Sequence, residues 1–171
     1  LVFCLLTPQS KARICWRAVQ RLERRCLISS GEPCQLQEEL VGVRFNRRKA
    51  EYICLARSMF CHQSLRSTLE MFSSPAAARE WLVENVKGLG YKEASHFLRN
   101  IGLGEELAIL DRHILKNLLL LGVIAELPSS PTKRLYIEIE KEMAAFSSRT
   151  EIPMGHLDLL LWYKEAGEVF K

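Results

Sequence analysis

Apolar positions recur at helical rather than strand spacing along almost the whole chain. After Pro8, the residues Ile14, Cys15, Ala18, Val19 and Leu22 share one side of a helix predicted from a cap at Ser10 to about Arg25. Ser29-Ser30-Gly31 and Pro33 read as a loop. A short helix over about Leu36 to Val41 follows, then the basic link Arg44-Phe45-Asn46-Arg47-Arg48-Lys49, a helix from there to about Phe60, and another over about Ser64 to Phe72. Ser74-Pro75 is a capping residue with proline in the first turn, opening a helix to about Val86. Lys87 to Tyr91 is long enough only for a tight connection, and Lys92 opens a helix to about Ile101 that Gly102 and Gly104 stop. Asp111 caps the next, which runs to about Leu121 and is closed by Gly122. Ser130-Pro131 opens a long helix to about Ser147, and Pro153 opens a last one through Trp162 to Ala166. There is no sustained β alternation, internal repeat or low-complexity tract, so the expected fold is all-α.

Composition narrows this only slightly. The 171 residues are 48% hydrophobic and 26% charged, with 9 Gly and 6 Pro, which excludes disordered and fibrous classes. No apolar run reaches the roughly 20 residues of a membrane span, so no membrane partner is expected. The chain begins at Leu1 within the apolar stretch Leu1-Val2-Phe3-Cys4-Leu5-Leu6, which predicts further helical sequence ahead of it.

The net charge of +4 conceals a split. Residues 1–60 carry eleven Lys or Arg against five Glu, whereas residues 61–171 carry thirteen against fifteen acids. Such a local excess is either a phosphate-facing surface or a solvated helix face. All six cysteines lie within the first 61 residues. Without CxxC spacing or a Cys/His cluster they read as reduced thiols, with Cys4, Cys15 and Cys54 as small buried hydrophobes.

The segment that points to chemistry is Val86-Lys87-Gly88-Leu89-Gly90-Tyr91-Lys92-Glu93-Ala94. Two glycines let the backbone turn sharply and approach a ligand, while the following helix offers its unpaired N–H groups. This is either a phosphate-binding hairpin or a tight αα connection. Asp111 and Asp158 are the only aspartates among twenty acids. At a helix start, the positive end of the dipole disfavours the Lys92 ammonium relative to the neutral amine that a nucleophile requires. Asp111, at the next helix start, is a plain N-cap or a carboxylate that orients the amine and stabilises a cationic transition state; the two roles are compatible.

The run from Val86 to Asn100, followed by Leu110-Asp111-Arg112-His113-Ile114-Leu115, resembles the helix-hairpin-helix and catalytic-aspartate signature of the base-excision DNA glycosylase superfamily. Within that superfamily the chain is similar to the type-2, archaeal and thermophile branch of 8-oxoguanine DNA glycosylase/AP lyases. Leu5 to Ser10, Arg44-Phe45, Arg48 to Tyr52 and Leu157 to Tyr163 carry the resemblance across essentially all of residues 1–171. It implies a two-lobed helical fold with the DNA cleft between the lobes and the hairpin at residues 86–92.

The resemblance further implies that Lys92 attacks the sugar, displaces the base and forms a Schiff base, after which elimination nicks the strand on the 3′ side. Asp111 would assist it. The hairpin N–H groups around Gly88 and Gly90 would grip phosphate, and the carbonyls of Glu84, Val86 and Leu89 are the candidates to hold a bridging monovalent cation. Because a glycosylase flips its target base, Phe45 matches a wedge filling the vacated stack, beside Arg48, and Gln9 matches a residue reaching the orphaned strand. The plain alternatives are a core aromatic and a helix-start polar residue.

Trp162 is a stacking platform for the flipped base or core packing. Asp158, four residues earlier on the same face, is an acceptor for the guanine edge or a first-turn carboxylate favoured by the dipole. The branch ends on a lysine that contributes to the pocket, matched here by Lys171, otherwise a frayed tail. No cysteine follows Cys61, so the iron-sulfur loop of the endonuclease III and adenine glycosylase relatives is not expected, and no cofactor is implied beyond that cation. Damaged double-stranded DNA is the expected partner, with a monomeric, cytoplasmic and nucleoid-associated protein. The alternatives are a glycosylase for another damaged base and a helix-hairpin-helix DNA-binding module without chemistry.

Overall fold

A computed structural model describes residues 1–168. They form eleven α-helices and contain no strand, as the helical spacing predicts. None of these helices is long and apolar enough to cross a membrane. Two compact units divide the chain, Leu1–Glu93 and Ala94–Lys171.

The first unit holds α1 (Val2–Leu6), α2 (Ala12–Arg24), α3 (Leu27–Ser30), α4 (Pro33–Glu39), α5 (Asn46–Met59), α6 (Leu65–Leu69), α7 (Pro75–Asn85) and the start of α8 (Tyr91–Asn100). Helices α1, α2, α4 and α5 pack on one another through Leu5, Leu6, Cys15, Ala18, Leu22, Leu36, Ala50 and Ile53, all essentially inaccessible. Burying such side chains, at about 1.5–3 kcal/mol each, is what offsets the entropy of ordering these short helices.

Several boundaries differ from the sequence expectation, each for a local reason. Ser10 does not cap α2; Lys11 holds the N-cap position without a side-chain bond, and the Ser10 hydroxyl instead accepts the Arg44 N–H at 3.0 Å. The stretch expected to be a loop contains α3, and the short helix expected from Leu36 begins earlier, at Pro33. There Glu32 and Gln35 form a reciprocal capping box. Helix α5 starts inside the basic link, directly after Phe45.

Ser74 caps α7 as expected, its side chain accepting from the Ala77 N–H. Four of the six cysteines are exposed or half-buried; Cys4 and Cys15 are buried, and Cys54 only partly so.

The second unit holds the rest of α8, α9 (Arg112–Leu120), α10 (Lys133–Thr150) and α11 (Met154–Ala166). Helix α11 packs on α9 and α10 through Ile114, Leu118, Met143, Leu157 and Leu161. Asp111 caps α9 and Pro153 precedes α11, both as expected. Ser130-Pro131 does not open α10: Thr132 is the cap, accepting from the Leu135 N–H, and the helix continues beyond Ser147 to Thr150.

Candidate active site

The hairpin begins where α7 ends at Asn85, with the Val86 N–H donating to the Leu82 carbonyl at 2.9 Å. Gly88 then takes φ +93°, a left-handed conformation costly for any residue with a Cβ. The Leu89 N–H closes the turn on the Val86 carbonyl at 3.2 Å, and both side chains are buried, fixing the turn to the unit beneath.

A Cβ on Gly88 would lie 2.3 Å from a Tyr52 ring carbon. The tyrosine therefore lies flush against the turn. Gly90 is different. It has no positive φ, and a Cβ there would meet only the end of the Glu93 side chain, at 3.1 Å. Of the two glycines, Gly88 is the one whose positive φ makes the turn.

The entry to α8 is anchored by Tyr91, whose hydroxyl donates to the Glu80 carboxylate at 2.6 Å and whose ring lies under the buried Arg79 guanidinium, 5.3 Å from its centroid. Burial raises the Tyr91 phenol above its ordinary value, keeping it a donor. Lys92 follows in the first turn of α8, half-buried, with its Nζ 3.0 Å from Glu93 Oε1.

Beneath lies a second lysine that the sequence reading passed over. Lys49 is 4% exposed and donates to the Leu6 carbonyl at 2.7 Å, the Pro8 carbonyl at 2.7 Å and the Ser10 hydroxyl at 3.1 Å. Burial depresses its ordinary basicity, opposed by Cys15 and Glu93 and reinforced by the charges of Lys92 and Arg44.

Two loops of this unit present the residues matched to base extrusion. Gln9 is exposed with φ +54°, and Phe45 is 55% exposed with φ +58°, so neither is a core residue. Arg44 covers the Phe45 ring at 5.6 Å, and Arg47 and Arg48 are exposed beside it.

In the second unit, a buried run from Leu107 to Leu110 leads into Asp111. Helix α10 holds this run, with Glu140 accepting the Ala108 N–H at 2.8 Å and the Tyr136 hydroxyl donating to the Ala108 carbonyl at 2.7 Å. One oxygen of Asp111, Oδ1, accepts both the His113 and the Ile114 N–H, at 2.8 and 2.9 Å. The cap role is therefore real.

Trp162 is half-buried on α11, edge-on to the His113 imidazole with centroids 5.1 Å apart. Asp158 is 2% exposed and ion-paired with Arg99 of α8. That pair ties α8 to α11. Lys171 lies outside the described residues.

Residues 1–152 match the sequence profile of a family described as 8-oxoguanine DNA glycosylase. The chain belongs to that family. A relative from Fusobacterium nucleatum named 8-oxoguanine DNA glycosylase/AP lyase is 50% identical over 174 residues, covering 100% of this chain and 80% of its own. A Korarchaeum cryptofilum protein of the same name is 43% identical, with the same coverage. Among solved structures, the Methanocaldococcus jannaschii 8-oxoguanine glycosylase/lyase in complex with DNA containing 8-oxoguanine has a TM-score of 0.90 at 38% identity, covering 99% of this chain and 80% of that one. The 8-oxoguanine DNA glycosylase fold is therefore the fold of this chain.

Lys49, Tyr52 and Tyr136 went unrecognised as supports of the site. A signal existed for Lys49, since Lys49, Ala50, Ile53 and Ala56 share the buried face of α5 at helical spacing. A lysine on such a face is a buried charge that needs partners.

Proposed function

We propose that this protein removes 8-oxoguanine from duplex DNA and then cleaves the strand as an AP lyase. The observation that carries the reading is Lys92 in the first turn of α8, directly after the Gly88 turn, in a chain of this family whose next helix starts on Asp111.

The Lys92 amine, as its neutral form, attacks C1′ of the damaged nucleotide while the C1′–N9 bond breaks, its electron pair leaving with the base. Ring opening yields a protonated imine between C1′ and Nζ. Loss of a C2′ proton then drives β-elimination, which expels the 3′ phosphate, and water hydrolyses the imine to free Lys92. The Asp111 carboxylate stabilises the cationic sugar as the base departs.

The N–H groups at the start of α8 and around Gly88 and Gly90 bind backbone phosphate. Glu84 lies in the last turn of α7, where carbonyls lack helical partners, and Val86 and Leu89 flank the turn. Those three carbonyls are the candidates to hold a monovalent cation, which would supply positive charge beside the phosphate. Phe45 fills the gap left by the extruded base, Gln9 meets the unpaired strand, Arg48 contacts phosphate, and Trp162 stacks on the base.

Borohydride trapping tests the reading. Wild-type protein should become covalently linked to a duplex carrying 8-oxoguanine and not to undamaged DNA, and Lys92→Gln should bind without linking. Trapping that survives in Lys92→Gln would assign the nucleophile elsewhere, and trapping on other damaged bases in preference would reassign the substrate.

A further inference from the structure

Gln9 and Phe45 share an unusual property. Both are non-glycine residues in the left-handed region, at φ +54° and +58°, and both are exposed at the tips of their loops. Such a conformation persists only where surrounding contacts over-determine it, and it clusters where strain serves function. The contacts that do so converge on one buried ammonium.

Lys49 Nζ donates to the carbonyls of Leu6 and Pro8, which bracket the turn leading to Gln9, and to the Ser10 hydroxyl just beyond it. The same Ser10 oxygen accepts the backbone N–H of Arg44, the residue before Phe45. Lys49 is also the residue whose own N–H closes the first turn of α5 on the Phe45 carbonyl, at 3.0 Å. Three acceptors satisfy an ammonium's three protons. The two loops are thereby joined through a single charge, with Ser10 as the shared node.

We propose that Lys49 is a positioning residue for base extrusion: through Ser10 it holds the Gln9 and Phe45 tips at a fixed separation, so that both enter the duplex together. This rests on the reading of Gln9 and Phe45 as the residues that enter the stack. Its consequence is that disrupting the clamp impairs extrusion while leaving the chemistry of Lys92 on an already exposed sugar intact.

The test uses the whole chain. Ser10→Ala removes the shared oxygen with little change in volume, and Lys49→Met removes the three donors while keeping most of the stem. Extrusion is read by 2-aminopurine fluorescence next to 8-oxoguanine in a duplex, together with single-turnover excision, and chemistry by borohydride trapping on a single-stranded abasic site. Ser10→Ala should slow duplex excision and dim the fluorescence rise by roughly tenfold, an effect of the size typical for misplacing a positioned group, with single-strand trapping unchanged within twofold.

Repeating Ser10→Ala in a Gln9→Ala/Phe45→Ala background should then have less than a twofold effect, since a clamp acting only through the tips has nothing left to position. Equal loss in duplex excision and single-strand trapping would overturn the proposal and place Lys49 in support of Lys92 instead. Full additivity in the tipless background would also overturn it. If the Gln9→Ala/Phe45→Ala change by itself leaves extrusion intact, the reading of the tips falls; if it abolishes extrusion while Ser10→Ala and a folded Lys49→Met do nothing, only the clamp falls. Should Lys49→Met unfold, Ser10→Ala alone decides.

Discussion

Gly88 and Gly90 look equivalent in sequence and should respond very differently to an added methyl group. Gly88→Ala must hold a Cβ at φ +93°, which costs about 1–2 kcal/mol. It must also displace the Tyr52 ring, whose carbon lies 2.3 Å from the new atom, and overpacking of that kind costs about 1–3 kcal/mol. The two together predict a loss of about 2–5 kcal/mol, or a fall in Tm of roughly 4–20 °C for a chain of this size.

Gly90→Ala meets only the end of a flexible carboxylate side chain and carries no positive φ, so its loss should stay under about 1 kcal/mol. Urea denaturation of both variants, repeated in a Tyr52→Ala background, separates the contributions. Removing the ring should relieve the steric part of Gly88→Ala and leave the backbone part of about 1–2 kcal/mol. Equal losses for the two glycines, or a Gly88→Ala penalty untouched by Tyr52→Ala, would refute the assignment of the turn to Gly88 and of its closeness to Tyr52.

Asp111→Asn keeps a good capping side chain, so unfolding should change by less than about 0.5 kcal/mol, while Asp111→Ala should lose about 1 kcal/mol. Both should lower single-turnover excision far more than DNA affinity, and parallel losses in the two would reduce Asp111 to a cap. Arg99→Met removes one half of the buried Arg99–Asp158 ion pair and should destabilise by about 3–5 kcal/mol, with most of that recovered in Arg99→Met/Asp158→Leu; chemical denaturation decides, and an unrecovered double variant would contradict the ion-pair account.

Burial lowers Lys49 below its ordinary value of 10.5, so at alkaline pH the folded chain releases that proton before the unfolded chain does. Stability contributed by Lys49 therefore rises with pH between its folded value and 10.5. Lys49→Met should flatten this rise in Tm measured across that window, and an unchanged slope would place the titration elsewhere.

Much of the helical organisation was readable because it rests on local chemistry. Ser74, Asp111 and Pro153 start helices by rules that act within four residues. Where reading failed, the deciding partner was distant in sequence. Ser10 is engaged by Arg44 and Lys49, more than thirty positions away, and so is withdrawn from capping α2. Asp158 gives no sequence hint of Arg99, fifty-nine residues earlier, and Gly88 none of Tyr52. Helix α4 is the exception, since Glu32-Pro33 and Gln35 spell its capping box locally, with proline at the helix start.

The thiols carry a consequence for handling under oxidative conditions. Cys15 lies buried against the Leu6 carbonyl at 3.1 Å, and burial pushes its thiol above the ordinary value, so little thiolate forms next to the lysine cluster. Peroxide and alkylating agents act on thiolate that solvent can reach, which directs them first to the exposed Cys26, Cys34 and Cys61. A mild labelling reaction at those three positions can therefore attach a fluorophore or a surface tether while the polar floor under Lys92 stays chemically untouched.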